Sequence, residues 1–423
     1  MKLNLPKNLL LRGSLILFAS NILVRGLDYL YRVLMGRALQ PYEFGVLNLA
    51  LPLQFMIIML TSIGIAPSIA RFTARHLARN EHYKLEELYS STLLYYVLGG
   101  VILGALMFLS ADWLAYSFFN VPSLALIIKI TALGTPFGVF VSVYTGFFQG
   151  FKKMERMSYV IITQQAVRVV LAVILVFLGF KALGAIIGSS LAFVVAVGVA
   201  YLLFLKFNIK YTKAKFKTFY EVFKFSIPTS ISGLATIILA FTDIFLLGRM
   251  VSPIAVGLYS AASPTARLTI AVAIAISATI LPIVAEKKAL NSEEKIKKHT
   301  YHSLLLFCAA AVPLMILLYF TAPWILGTLF GPAYLEAVPV FKILLFGAFF
   351  LSIHIVLSGS FQGIGKPSIP MYVIIVIAVL NLFLNYKLIP VYGMVGAAIA
   401  TTISSIVGGL ASLTIFFAIR NHA

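Results

Sequence analysis

The sequence predicts an all-α, polytopic membrane protein of twelve transmembrane helices in two six-helix bundles. Three observations predict it. Apolar runs of about 20 residues, enough to span a bilayer core, recur along nearly the whole chain. Strongly basic loops alternate with weakly charged ones between those runs. The second half of the chain repeats motifs of the first in the same order and at a near-constant offset. Composition agrees: of 423 residues, 61% are hydrophobic and 11% charged, far from the roughly 25% charged content of soluble domains.

The elements follow in order. Span 1 (9–36) carries Arg25, Asp28 and Arg32 inside an apolar run, and the turn after it holds Arg37. Span 2 (44–70) contains Gly64 and Pro67, a place for it to bend, and stops at the polar loop 71–87. Spans 3 (88–110) and 4 (123–148) follow, and span 4 ends on Gln149-Gly150 before Lys152, Lys153 and Arg156. Spans 5 (157–179) and 6 (183–205) meet at a turn with Lys181. The lysine-rich stretch 206–221 links the halves. Span 7 (222–248) leads past Arg249 into span 8 (255–285), where Gly257 and Pro282 mark a second bend. Loop 286–299 is basic, and spans 9 (300–320) and 10 (335–361) lead to Gln362-Gly363. Spans 11 (368–388) and 12 (393–419) meet near Lys387.

With the N-terminus inside, the basic residues of 71–84, 152–156, 206–224 and 287–298 share one side with Lys2, Lys7, Arg12, Lys366 and Arg420. The other side has Arg37, Lys181, Arg249 and Lys387. That asymmetry places both termini in the cytoplasm of a multi-pass cell-membrane protein. It also accounts for the net charge of +20 without any nucleic acid. Cys308 is the single cysteine, so no intrachain disulfide is expected. The first apolar segment is too long and too charged for a cleavable signal.

The repeat is visible in three places. "MGRALQPYEFGVL" (35–47) matches "LGRMVSPIAVGLY" (247–259), "FFQGFKKMERMSYV" (147–160) matches "SFQGIGKPSIPMYV" (360–373), and "KALGAIIGSS" (181–190) matches "YGMVGAAIAT" (392–401). Six spans per copy is an even number, so the copies enter from the same side, as in transporters built from parallel repeats. The expected division is an N-terminal bundle (1–205), a basic linker (206–221) and a C-terminal bundle (222–423), with substrate bound between the halves near the midplane.

The buried charges point to the cargo. Arg25, Asp28 and Arg32 share one helical face. Arg168 in span 5 and Arg267 in span 8 add two further cations, and Asp243 in span 7 is the other deep acid. An arginine near the centre of a membrane helix costs roughly 2.5–3.5 kcal/mol, and four would cost on the order of 10–14 kcal/mol if they faced lipid. They must face protein or water. Asp28 can neutralise Arg25 or Arg32, but four cations against two anions leave a positive interior. Such a cavity suits an anionic substrate, and guanidinium forks suit phosphate oxygens. Gln164 and Gln165 lie one turn before Arg168, where they can reach sugar hydroxyls. Asp243 with Asn381, Asn385, Thr401 and the Ala397 carbonyl makes an oxygen cage for a small hard cation. The alternatives are Asn–Asn hydrogen bonding across helices and proton binding at Asp243. Gln149 and Gln362 read as helix-end caps, His354 as an interhelical hydrogen-bonding group, and Lys129 and Lys342 as side chains that snorkel to the interface.

"GRALQPYEFGVLNLA", "FQGIGKP", "GPAYLEAVP" and "GAAIATTIS", with two six-helix halves, resemble the oligosaccharide-lipid (polysaccharide, Wzx-type) flippases of the multidrug/oligosaccharidyl-lipid/polysaccharide exporter superfamily. The resemblance covers almost the whole chain. It implies a V-shaped pair of bundles around a central cavity and alternating access for a polyprenyl-linked glycan. The related lipid II flippases use arginines on helices 1 and 8; Arg25 fits that pattern and Arg267 is shifted by about one turn. Their sodium site resembles Asp243, Asn381, Asn385, Ala397 and Thr401, with Asn385 standing where an acid is expected. The resemblance therefore implies a bound Na⁺, or a proton in its place, and no other cofactor. Expected partners are the lipid-linked oligosaccharide, membrane lipids and glycan-assembly enzymes, with the chain a monomer.

Two other classes fit less well. A multidrug exporter would share the fold, but four arginines repel the usual cationic drugs. A membrane glycan polymerase or glycosyltransferase needs acid/base groups or a metal at a membrane face. The outer loops offer Glu43, Asp112 and Glu336, without paired carboxylates, and no P-loop occurs.

Overall fold

The computed structural model describes residues 7–62, 65–290 and 292–421, and all regular structure among them is helical. Gly64, expected to mark a bend, and Lys2, expected in the cytoplasm, lie outside the described residues. Twelve α-helices follow in order among the described residues: α1 (Lys7–Ser62), α2 (Ile65–Ala78), α3 (His82–Asp112), α4 (Leu124–Gly150), α5 (Met154–Leu175), α6 (Lys181–Leu205), α7 (Phe216–Met250), α8 (Pro253–Ala266), α9 (Leu268–Ala289), α10 (Glu293–Leu329), α11 (Val338–Gly363) and α12 (Ser368–Asn421). These are not one-to-one with the expected spans.

Eight helical stretches among the described residues are long and apolar enough to cross a membrane. Three of them, Ala19–Ala78, Met154–Leu205 and Ser368–Ala418, run to 60, 52 and 51 residues. At about 1.5 Å per residue a straight helix of that length far exceeds the roughly 30 Å hydrocarbon core. Each is broken by a residue with positive φ: Gln40 (φ 61°, ψ 164°), Lys181 (φ 49°, ψ −139°) and Gly393 (φ 55°, ψ −133°). The breaks fall at or beside the turns expected between spans 1 and 2, 5 and 6, and 11 and 12.

By packing, the chain forms two units. One comprises Met1–Leu39 and Val46–Leu234, the other Gln40–Gly45 and Ala235–Ala423. In the first unit α3, α4 and α6 close over Tyr89, Tyr144, Phe147, Phe148 and Phe204, where Tyr89 stacks on Phe204 at 4.6 Å. The segment after α6 belongs to this unit too: the backbone N–H groups of Thr212 and Lys215 donate to Ser90 Oγ and Ser91 Oγ of α3 at 2.7 and 2.8 Å. In the second unit α9, α10, α11 and α12 enclose Ala273, Phe307, Ala311, Val356, Leu357 and Phe361. The turn between α2 and α3 is clasped by Glu81, which accepts from Lys84 and pairs with His76. Those two hydrogen bonds hold its carboxyl down at about 2.

The internal repeat is written into the packing. A Cβ at Gly134 would meet Ser190 Oγ at 2.6 Å, and one at Gly347 would meet Thr402 Oγ1 at 2.8 Å. A Cβ at Gly150 would meet Thr73 Cβ at 2.5 Å, and one at Gly363 would meet Val284 Cβ at 2.8 Å. Gly134 pairs with Gly347, and Gly150 with Gly363, in the register of the "FQG" repeat, so both halves use backbone-close packing at the same places. Lys181 and Gly393 occupy equivalent turns of the two halves and share one conformation. Glycine adopts that conformation freely, whereas an L-residue there is strained by on the order of 1–3 kcal/mol. Lys181→Gly should therefore raise the thermal unfolding temperature in detergent by about 2–4 °C; an unchanged or lowered value would show that the backbone carries no strain there.

Two expectations are refined. The eighth span is interrupted at Arg267 (φ −85°, ψ 10°), between α8 and α9, and Pro282 sits inside α9. Pro264, three residues earlier, lacks an N–H and so weakens the helix just before that break. Lys129 does not simply snorkel: its Nζ donates to Asp112 Oδ2 at 2.8 Å. The other expected roles take concrete form. Lys342 Nζ lies over the Tyr319 ring at 4.4 Å, and His354 Nδ1 meets Ser412 Oγ of α12 at 2.7 Å. Gln149 and Gln362 each accept a backbone N–H from the turn that follows, through their carbonyls.

Candidate functional site

The first unit gathers charge around Asp28. Arg32 lies one turn later on α1, and its Nε donates to Asp28 Oδ2 at 3.0 Å. Arg168 arrives from α5, far away in sequence, and its Nη1 donates to Asp28 Oδ1 at 3.2 Å. Arg168 also donates from Nε to Ser189 Oγ of α6 at 3.3 Å. Its guanidinium carbon lies 3.8 Å from the centre of the Tyr31 ring, a cation–π contact. Tyr31 Oη in turn reaches Ser189 Oγ at 3.4 Å. The Arg168 side chain is 15% exposed and that of Arg32 35%. Arg25 is exposed on α1 and, among the described residues, makes no ion pair with Asp28. The carboxylate therefore orients Arg32 and Arg168, not Arg25. Gln164 is half-buried on α5, one turn before Arg168. Gln165 is buried, and its Nε2 has no partner among the described residues.

The second unit builds a site around Asp243 of α7, whose side chain is 1% exposed. An unpaired carboxylate buried to that degree would be very costly, and donors surround it. Asn385 Nδ2 donates to Oδ1 at 2.7 Å, and Asn381 Nδ2 stands 3.5 Å from the same oxygen. Thr401 Oγ1 donates to Oδ2 at 2.8 Å, and the Tyr259 hydroxyl of α8 donates to that oxygen as well. Asn381 and Asn385, one turn apart in α12, are linked by Asn385 Nδ2 to Asn381 Oδ1 at 3.0 Å, and Asn381 Nδ2 donates to Thr401 Oγ1 at 3.0 Å. Arg267 Nη2 lies 3.9 Å from Asp243 Oδ2, beyond hydrogen-bond reach, with its side chain 28% exposed. Ala397 is buried one turn before Thr401.

The four side chains expected for a cation cage thus converge, and the donor set is chemically right for a small hard cation: one carboxylate, two amides and a hydroxyl. One observation tests the fit directly. Asn385 Oδ1 is buried and has no hydrogen-bond partner among the described residues. It is an unused oxygen at the rim of a buried carboxylate. Tyr259 was missed in the sequence because it is one of twenty tyrosines and no spacing singles it out. Ser189 was missed for the same reason, as a small polar residue inside a glycine-rich apolar run.

A multi-helix membrane protein with clustered charges held inside its helical units has the architecture of a transporter rather than a soluble enzyme. The chain belongs to the family of polysaccharide biosynthesis proteins, which matches residues 10–288. The MatE family matches residues 228–387. The chain is thereby a member of the multidrug/oligosaccharidyl-lipid/polysaccharide exporter superfamily, whose members are transporters and flippases rather than enzymes. A membrane protein of Methanocaldococcus jannaschii is 26% identical over 98% of this chain and 99% of its own length. A Haloferax volcanii protein named a probable low-salt glycan biosynthesis flippase is 26% identical over 47% of this chain and 42% of its own length. Among solved structures, an inward-facing multidrug resistance MATE family transporter aligns with a TM-score of 0.81 at 18% identity, covering 93% of this chain and 95% of that one. The lipid II flippase MurJ, in an inward closed conformation, aligns with a TM-score of 0.74 at 17% identity, covering 97% and 87%. These likenesses establish the fold.

Proposed function

We propose that the protein is a secondary transporter that flips an anionic polyprenyl-phosphate- or pyrophosphate-linked oligosaccharide from the cytoplasmic to the outer leaflet by alternating access, coupled to a cation. The observation that carries this reading is the excess of positive charge within α1 and α5 of the first unit: three guanidiniums, Arg25, Arg32 and Arg168, against the carboxylate of Asp28. Arg25 and Arg32 are the more exposed and would take the phosphate. Arg168 stands behind them and fixes Asp28, and Gln164 is placed one turn away for sugar hydroxyls. The family description, the Haloferax relative's name and the MurJ fold support a glycan-lipid cargo. The MATE likeness favours drug export as a second reading, but this charge excess disfavours cationic drugs. Asp243, Asn381, Asn385 and Thr401, with the Ala397 carbonyl, would hold a Na⁺ ion, which when bound supplies the charge that neutralises Asp243. Both termini and the 206–215 segment face the cytoplasm in this reading.

The test is reconstitution into liposomes with a panel of lipid-linked glycans, in vesicles sorted by protection of a cysteine at position 213 from an impermeant thiol reagent in a Cys308→Ala background. Translocation of at least one pyrophosphate- or phosphate-linked glycan is expected, with none of neutral glycolipids. Export of cationic dyes without any glycan-lipid movement would overturn the reading.

A further inference from the structure

The two charge clusters occupy the same place in the repeated fold. With the repeat taken at an offset of 212 around Tyr31 and Ser189, where Gly184 falls on Gly396 and Ala185 on Ala397, and of 213 through the "FQG" segment and Arg168, Tyr31 corresponds to Asp243, Arg168 to Asn381 and Ser189 to Thr401. The close-packed glycines of the two halves correspond in that same register. The contacts correspond as well. Arg168 Nε donates to Ser189 Oγ at 3.3 Å, and Asn381 Nδ2 donates to Thr401 Oγ1 at 3.0 Å. Tyr31 Oη meets Ser189 Oγ at 3.4 Å, and Thr401 Oγ1 donates to Asp243 Oδ2 at 2.8 Å. The Arg168 guanidinium lies 3.8 Å over the Tyr31 ring, and Asn381 Nδ2 lies 3.5 Å from Asp243 Oδ1. One triangle of contacts has been filled twice, once around a fixed cation and once around a fixed anion.

The substitutions between the two triangles are complementary in charge. In the first unit the acidic corner is an aromatic ring, and the amide corner is a guanidinium that brings its own positive charge. The remaining negative charge comes from Asp28, whose counterpart in the second half is the uncharged Ala240. In the second unit the same triangle has a carboxylate and, among the described residues, no internal cation within hydrogen-bond distance; Arg267 is 3.9 Å away. A guanidinium and a free cation cannot share one small polar site, because like charges a few ångströms apart repel strongly where water is scarce.

We propose that the Arg168 guanidinium is a tethered cation: it permanently fills, in the first unit, the position that a monovalent cation fills in the second. The ring face of Tyr31, Ser189 Oγ and Asp28 Oδ1 are its ligands, as Asp243, Asn381 and Thr401 are those of the free ion. The first unit is therefore insensitive to ions, and only the second responds to them. This rests on the cation reading of the Asp243 site, and it assigns Arg168 a place as a fixed occupant rather than as a ligand to the cargo.

The experiment is thermal unfolding of the purified full-length protein in detergent, in sodium chloride against choline chloride at equal ionic strength. Wild type should be stabilised by sodium, and Asp243→Asn should not; that pair tests the cation reading alone. In the Asp243→Asn background, adding Tyr31→Asp and Arg168→Asn should restore a sodium-dependent rise of about 5 °C near saturation. The control Asp243→Asn/Tyr31→Asp, which keeps the tethered guanidinium, should stay flat. A folded triple variant indifferent to sodium, or a control as responsive as the triple variant, would overturn the proposal. If the triple variant does not fold, Asp243→Asn/Arg168→Ala decides, because it keeps Tyr31 and frees Asp28. Sodium stabilises it over choline, or the guanidinium was not standing in for an ion.

Discussion

Gly45→Ala, and separately Gly257→Ala, should remove most of the folded protein recovered in detergent. A Cβ at Gly45 would lie 1.7 Å from the Pro253 carbonyl oxygen, and one at Gly257 would lie 2.0 Å from the Pro41 carbonyl oxygen. The two glycines stand back to back in the repeated segments "PYEFG" and "PIAVG", each against the proline carbonyl of the other. Real Cβ atoms essentially never come within 3.0 Å of another heavy atom, and main-chain atoms cannot rotate away as a side-chain end can. The crossing must open. Opening it loosens Phe44, which is 1% exposed and packs edge-on against Tyr334 at 6.2 Å. Overpacking a core usually costs about 1–3 kcal/mol, and a backbone clash belongs at or above the top of that range. The unfolding temperature should fall by about 6–12 °C. Gly99→Ala, in a helix where a Cβ would meet nothing within 4 Å, is the control and should change little. Equal melting of Gly45→Ala and Gly99→Ala would mean that the crossing gives way at no cost.

Asp243→Asn should reduce transport to background and abolish stabilisation by sodium. The replacement amide keeps one acceptor where the carboxylate had two. Its new NH₂ must face either the Asn385 amide at 2.7 Å or the hydroxyls of Thr401 and Tyr259. Facing Asn385 the NH₂ meets another donor; facing the hydroxyls it can donate to their oxygens but takes away the acceptor of their hydrogens. A buried polar group left without its partner costs about 1–3 kcal/mol. Arg267 also loses the carboxylate 3.9 Å away. Asn381→Ala should behave similarly for transport, with a milder effect on stability because it removes no charge. Transport that persists in choline but collapses when a pH gradient is dissipated would replace sodium by a proton in the coupling step.

The fold was legible because its causes are local. Apolar length, loop charge and a repeated motif need no knowledge of partners. Charged residues inside the spans were equally legible, since each is too costly to leave facing lipid. The i, i+4 spacing of Asn381 and Asn385 is helical geometry, so their shared face could be read directly. What could not be read is what lies across space. Asp28 was matched with its neighbours on α1, but half of its pairing comes from Arg168, on a helix four elements further along the chain. Tyr259 and Ser189 look like any other tyrosine or serine until tertiary packing aims them. The break at Arg267 could not be read, because where a membrane helix is interrupted depends on what packs around it. Gly45 stands out in the sequence only as part of a repeat. A glycine shows that something can come close, not which backbone does.

The membership of Gln40–Gly45 in the second unit bears on how the chain is assembled. This short stretch leaves the ribosome early, flanked by the first unit, yet the body it completes is synthesised only after the whole first half. During that interval the Gly45 surface waits without its counterpart, and a chaperone or an insertion factor has a reason to cover it. A polypeptide starting at the lysine-rich segment would lack a piece of its own core. Split halves joined only by co-expression would have to exchange this stretch before either could leave the insertion machinery, so a cut within the 206–215 segment should yield paired halves or none.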